Sequence, residues 1–197
     1  MIEAPEARIL CRQLNETVRG KKITDVYTQF SPHKFAWFTG SSEEYAEQLS
    51  GKTIDHAQSQ GGMVEITIGD KVLILTDGVN LRYLAPGSKL SAKHQLLIAF
   101  EDESCLVASV RMYGGLMCYD KDAADGVLSN YYLTARSKPQ VMSDGFSPEY
   151  FLGLINADSA QKKSAKVSLP PNRRFPDSAM VFCRISFTIH ISTRRKK

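Results

Sequence analysis

Apolar residues open this chain at helical spacing. Ala7, Leu10, Cys11, Leu14 and Val18 share one stripe, and Gly20 ends the run, so the pattern predicts a helix with one buried face. Pro5 suits the first turn of that helix, and Glu3 and Glu6 complement the positive end of its dipole. Lys22–Phe30 then reads as a strand, with Ile23, Val26 and Tyr27 apolar, until Pro32 breaks it. The aromatic run His33–Thr39 predicts a second strand packing on the first, and Glu43–Leu49 a short helix closed by Gly51.

From Thr53 the period becomes two. Thr53–Ser59 leads into a Gly61-Gly62 turn, Met63–Ile68 alternates, and Gly69-Asp70 turns the chain into Val72–Leu75. A further hairpin joins His94–Phe100 to Cys105–Val110, and Leu116–Tyr119 is expected to extend its sheet. Residues 120–147 read as polar loop, and Ser147-Pro148 opens a helix over Glu149–Ile155. The pattern predicts an α+β chain, mainly β: an antiparallel β-sandwich with an N-terminal helix and short flanking helices.

Composition narrows the class without naming a partner. The 197 residues suffice for one medium domain plus a fragment. The formal charge of +4 rests on Arg194, Arg195, Lys196 and Lys197, so any polyanion-binding surface must come from local placement of charge. Cys11, Cys105, Cys118 and Cys183 form no paired metal-ligand motif, which predicts reduced thiols, no metal, and a cytoplasmic setting. No apolar run is long enough to span a bilayer, so no membrane association is expected.

The opening "IEAPEARILCRQLNETVRGKKITDV" resembles the N-terminus of the formamidopyrimidine-DNA glycosylase / endonuclease VIII family. The likeness continues in patches to about residue 166, most clearly at "AFEDESCLVASVRMYGG". It implies the family's N-terminal β-sandwich over residues 1–150 and the start of a helix–two-turns–helix domain over 151–166. The family opens Met-Pro-Glu-(Leu/Gly)-Pro-Glu. The proline amine freed by loss of Met is its nucleophile, and the following glutamate its acid/base. By position, Glu3 matches that glutamate, and Pro5 and Glu6 complete the motif. Arg111 and Tyr113 match the arginine and aromatic that fill the gap left by an extruded nucleotide, and Val79 stands where a third wedge residue is usual. An enzyme that turns a base out of the stack needs such groups to fill the vacancy.

Two family positions have departed. Ile2 replaces the nucleophilic proline, and a bulky second residue implies that Met1 is kept, moving the free amine by one residue. Gly62 stands where the family's lesion-contacting lysine belongs, with Gln58, Ser59 and Gln60 in place of the basic residues before it. The resemblance therefore implies a DNA repair protein of glycosylase/AP lyase type, impaired in catalysis. It would act as a monomer, without cofactor, on damaged bases or abasic sites in duplex DNA. Met1, Glu3 and Glu6 are its expected catalytic residues. The alternatives are a non-catalytic binder of damaged DNA, or a β-sandwich interaction module with no DNA role.

The segment 167–197 shows no helical or strand period. Joining the last base of each codon to the first two of the next lets Leu169–Ser186 spell a helix–two-turns–helix signature of the same family. Met180-Val181 allows only glycine in that frame, where the signature needs one. The tail is accordingly read as an out-of-frame, disordered translation of a second domain, an expectation that the encoding DNA tests directly.

Overall fold

The computed structural model describes residues 2–123, 130–140 and 143–156. Met1 and the segment 167–197 lie outside the described residues, so the expectations placed on them do too.

The first helix, α1 (Ala4–Thr17), forms where the apolar stripe predicts it, with Ala7, Cys11 and Leu14 buried. Its start is held by a capping box: the Glu3 amide donates to Glu6 Oε2 at 2.8 Å, and the Glu3 carboxylate accepts the Glu6 amide. The strands that follow are β1 (Ile23–Thr28), β2 (Ala36–Phe38), β3 (Ile54–Gln60), β4 (Met63–Ile68), β5 (Lys71–Leu75), β6 (Val79–Leu84), β7 (Leu96–Phe100), β8 (Cys105–Val110) and β9 (Gly114–Asp120). Helix α2 (Tyr45–Leu49), preceded by a 3₁₀ turn at Ser42–Glu44, lies between β2 and β3; α3 (Asn130–Arg136) and α4 (Pro148–Asn156) follow the strands.

Two sheets face each other, one ordered β1-β7-β8-β6 and the other β2-β9-β5-β4-β3. The α+β, mainly β sandwich expected from the sequence is what the chain forms. Alternation along each strand sends one set of side chains into a shared core. Val64, Ile66 and Ile68 of β4 meet Leu96, Ile98, Leu106 and Ala108 there. On the outer face of β4, Glu65 is buried yet satisfied, accepting from Tyr132 Oη at 2.8 Å and Gln58 Nε2 at 2.7 Å. Helix α1 covers the open edge of β3: Asn15 gives and receives a hydrogen bond with the Ala57 backbone, at 2.8 and 2.7 Å.

Three expectations need correction. The strand in His33–Thr39 does not pair beside β1; β2 joins the opposite sheet, parallel to β9, so the sandwich is not wholly antiparallel. Leu116–Tyr119 does not extend the β7–β8 hairpin but lies in β9, between β2 and β5. Helix α3 lies within the stretch read as polar loop, and strand β6 forms where no element was assigned. One buried side chain explains the first two. Tyr45 donates to the Leu116 carbonyl at 2.7 Å and accepts from the Thr39 and Cys118 amides at 3.1 and 3.0 Å, fastening the end of β2 to β9. Burial pushes its hydroxyl up to about 12.

Candidate functional site

Four loops separated by up to 110 positions meet at one end of the sandwich. Ile2 is buried (7% exposed), and its amide donates to the Asp77 carbonyl in the β5–β6 turn. On its other side lies the β3–β4 turn. A Cβ added at Gly62 would stand 3.1 Å from the Ile2 carbonyl oxygen and 3.7 Å from Glu3 Cα. The β5–β6 turn in turn grips the β8–β9 turn: the Gly78 amide donates to the Tyr113 carbonyl at 2.9 Å, and the Arg111 amide to the Gly78 carbonyl at 3.4 Å.

Gly78 is required there for space rather than for its dihedral freedom, since a Cβ would lie 2.5 Å from the Tyr113 carbonyl oxygen. Asp77 adopts φ +53°, and its carboxylate accepts from the Thr76 hydroxyl at 2.9 Å. That hydroxyl also accepts the Gly115 amide at 3.1 Å, tying the base of the β8–β9 turn to the same point.

The amino-terminal segment, the start of β6 and the β8–β9 turn border an open groove of about 700 Å³, lined by Ile2, Glu6, Gly78, Val79, Arg111 and Tyr113. Arg111, Met112 and Tyr113 are all exposed at its rim. Ile2, Glu6, Val79, Arg111 and Tyr113 of the residues singled out in the sequence thus share one wall-and-rim arrangement. Glu3 is half-buried beside Gly62, its carboxylate engaged in the capping box, and Glu6 is the acid that lines the groove itself.

Val79 lines the groove from its floor. It opens β6 opposite Val110, and its side chain is buried (5% exposed) against Gly114, where a Cβ would meet Val79 Cγ2 at 2.8 Å. The sequence reading missed Met112, whose side chain is 72% exposed between Arg111 and Tyr113. Its signal was present: an unbranched apolar residue at a turn, next to an arginine and an aromatic, has no core to enter.

Two lysines close to this hairpin in the sequence, Lys52 and Lys71, are held away from Gly62. Lys52 pairs with Asp70, and Lys71 with Asp120 at 2.5 Å, both at the opposite end of β4 from Gly62. The buried thiols are no nucleophiles either: desolvation pushes Cys11 up to about 12 and Cys118 up to about 11. Among the described residues no cluster of three or more His, Cys, Asp or Glu side chains is placed to hold a metal ion, and no helix is long and apolar enough to cross a membrane.

Comparison with known proteins places this geometry. Residues 1–83 match the formamidopyrimidine-DNA glycosylase N-terminal domain. The formamidopyrimidine-DNA glycosylase of Streptococcus pneumoniae is 24% identical over 168 residues, which is 83% of this chain and 58% of that protein. The chain therefore spans little more than half the length of the curated relatives it matches. Among solved structures, the Lactococcus lactis formamidopyrimidine-DNA glycosylase non-covalently bound to DNA containing an AP site aligns with a TM-score of 0.61 at 22% identity, covering 77% of this chain and 57% of that one. The structure of MutM in complex with DNA containing carbocyclic 8-oxo-G aligns with a TM-score of 0.59 at 20% identity, covering 92% of this chain and 75% of that one. Residues 1–83 thus match the formamidopyrimidine-DNA glycosylase N-terminal domain in sequence, and the sandwich shares its fold with these glycosylase structures.

Proposed function

We propose that this chain is a DNA repair protein of the glycosylase/AP lyase type that recognises damaged bases or abasic sites in duplex DNA, with its excision step impaired. It works in this reading as a cytoplasmic monomer without cofactor. The observation that carries it is one groove lined by Ile2 and Glu6 of the amino-terminal segment, by Gly78 and Val79, and by the Arg111–Tyr113 turn. Arg111, Met112 and Tyr113 form the wedge. The guanidinium hydrogen-bonds the orphaned partner base, while the apolar groups replace lost stacking. Val79 is the floor against which that turn seats.

Lyase chemistry needs a free amine to condense with the C1′ aldehyde of an abasic sugar, releasing water and leaving an imine, with a carboxylate moving protons. Glu3 is the proposed carboxylate and Met1 the proposed source of the amine, with Glu6 holding the helix start. The nitrogen of Ile2 is an amide committed to the Asp77 carbonyl, and a side chain at position 62 crowds the Ile2 carbonyl. Both observations favour a second reading, a member that binds damaged DNA without cutting it.

Gel-shift and borohydride-trapping assays separate these readings. Duplex DNA with a tetrahydrofuran abasic analogue should bind more tightly than the undamaged duplex, with steep salt dependence, and Arg111→Ala should erase the preference. A borohydride-trapped adduct on a true abasic duplex, lost in Glu3→Gln, supports residual lyase action; binding without trapping supports the non-catalytic reading. Equal affinity for damaged and intact duplex would end both.

A further inference from the structure

We infer that Phe35, Trp37 and Tyr113 form a stacking platform for unpaired DNA bases, continuing the groove rim along the edge of the five-stranded sheet. The inference rests on the DNA-binding reading above and extends it to a second kind of contact, with single-stranded DNA.

The platform comes from an edge strand. β2 pairs with β9 on one side only, with Trp37 opposite Gly115, and the Gly114 amide donates to the Phe35 carbonyl at 3.0 Å. Alternation turns Phe38 inward onto Tyr45, ring centroids 5.5 Å apart, and leaves Trp37 (51% exposed) and Phe35 (48% exposed) outside. The Trp37 and Tyr113 rings stand 6.0 Å apart, joining this edge to the rim turn. Phe35 stands in the turn that leads into β2, where the Ala36 amide donates to the His33 carbonyl at 3.0 Å, and Trp37 stands on the strand itself, so both rings face solvent at one sheet edge, open for bases to stack upon them.

Charge selects the occupant. The segments 31–39 and 111–119 carry Lys34, Arg111 and His33 and no acidic residue. Lys34 Nζ lies 5.5 Å from the Phe35 ring centroid. Lys21, Lys22, Lys52 and Lys71 all pair with carboxylates, whereas neither Lys34 nor Arg111 stands in an ion pair among the described residues. Exposed rings interleaved with uncompensated cations suit a chain of phosphates and bases, and not a second apolar surface.

Trp37 is the only tryptophan in the chain, so its fluorescence reads the platform directly. The intact protein is titrated with single-stranded dT20, with a paired 20-mer, with the same duplex bearing a tetrahydrofuran site, and with heparin as a polyanion without bases. Quenching by dT20 and not by heparin is expected. Phe35→Ala should weaken dT20 binding roughly 5- to 150-fold, the loss of one stacked base, with Phe35→Tyr restoring it and thermal melts confirming that each variant folds. Equal responses to dT20 and heparin overturn the inference. So does self-association that Trp37→Ala abolishes, since a second copy then covers the ridge. Quenching by dT20 without preference for the abasic duplex keeps the platform and rejects the repair reading. Abasic preference that depends on Arg111 but ignores Phe35→Ala and Trp37 rejects the platform alone.

Discussion

The grip between the β5–β6 and β8–β9 turns is open to a single-atom test. In Gly78→Ala the new methyl starts 2.5 Å from the Tyr113 carbonyl oxygen, whereas ordinary contact begins at 3.4 Å. The rim turn must retreat by about 0.9 Å, the difference between those two distances, and cannot do so while keeping its 2.9 Å hydrogen bond from the Gly78 amide. Overpacking of this kind costs about 1–3 kcal/mol and the lost hydrogen bond about 0.5–1.5 kcal/mol, so a destabilisation of about 2–4 kcal/mol is expected. Urea unfolding measures it, and a drop in melting temperature of roughly 5–15 °C accompanies it. Because Arg111, Met112 and Tyr113 ride on the displaced turn, affinity for a tetrahydrofuran duplex by fluorescence anisotropy should fall at least tenfold with every wedge side chain still present. Gly153→Ala in α4 is the matched control: its added methyl meets nothing within 4 Å and should be neutral or mildly stabilising. If Gly78→Ala melts and binds like the wild type, the two turns are not coupled as described, and the site loses its rigid rim.

Two further outcomes follow from buried or paired groups. Tyr45→Phe strands the Thr39 and Cys118 amides and the Leu116 carbonyl, and should cost about 2–4 kcal/mol in urea unfolding; a loss below about 0.5 kcal/mol would mean that β2 is held by other contacts. Asp102 is held down to about 2 by its hydrogen bond from Lys21, so its contribution is complete above the unfolded value of about 3.9 and vanishes as pH falls toward 2. The stability gap between wild type and Asp102→Asn should therefore close between about pH 4 and pH 2, and a gap that stays constant would exclude Lys21 as its source.

Much of the fold was legible because local periodicity reports which side of an element faces the core. The stripe Ala7, Cys11, Leu14 and Val18 appears as drawn, and the alternation of Met63–Ile68 fixes which residues line the sandwich. The amino-terminal motif was legible in both of its senses. Glu3 and Glu6 form the capping box that helix physics asks for, and they lie beside the groove that the family resemblance asks for. The different exposure of Val79 and Met112 was not legible, since one apolar residue near a turn looks like another until the strand phase is known. β6 begins at Val79 and points it inward, whereas β8 ends at Val110 and frees Met112.

By itself the sequence determined the elements whose apolar period is complete within a few turns or strands, and the glycines at their ends. Only the tertiary structure decided that β2 crosses to the far sheet beside β9, that Lys52 and Lys71 pair with Asp70 and Asp120, and that the amino-terminal segment, the start of β6 and the β8–β9 turn border one groove. Periodicity encodes a residue's angle about its own element, set by bonds to near neighbours. The choice of partner strand depends on backbone hydrogen bonds and packing between segments far apart in the chain, which no local window contains.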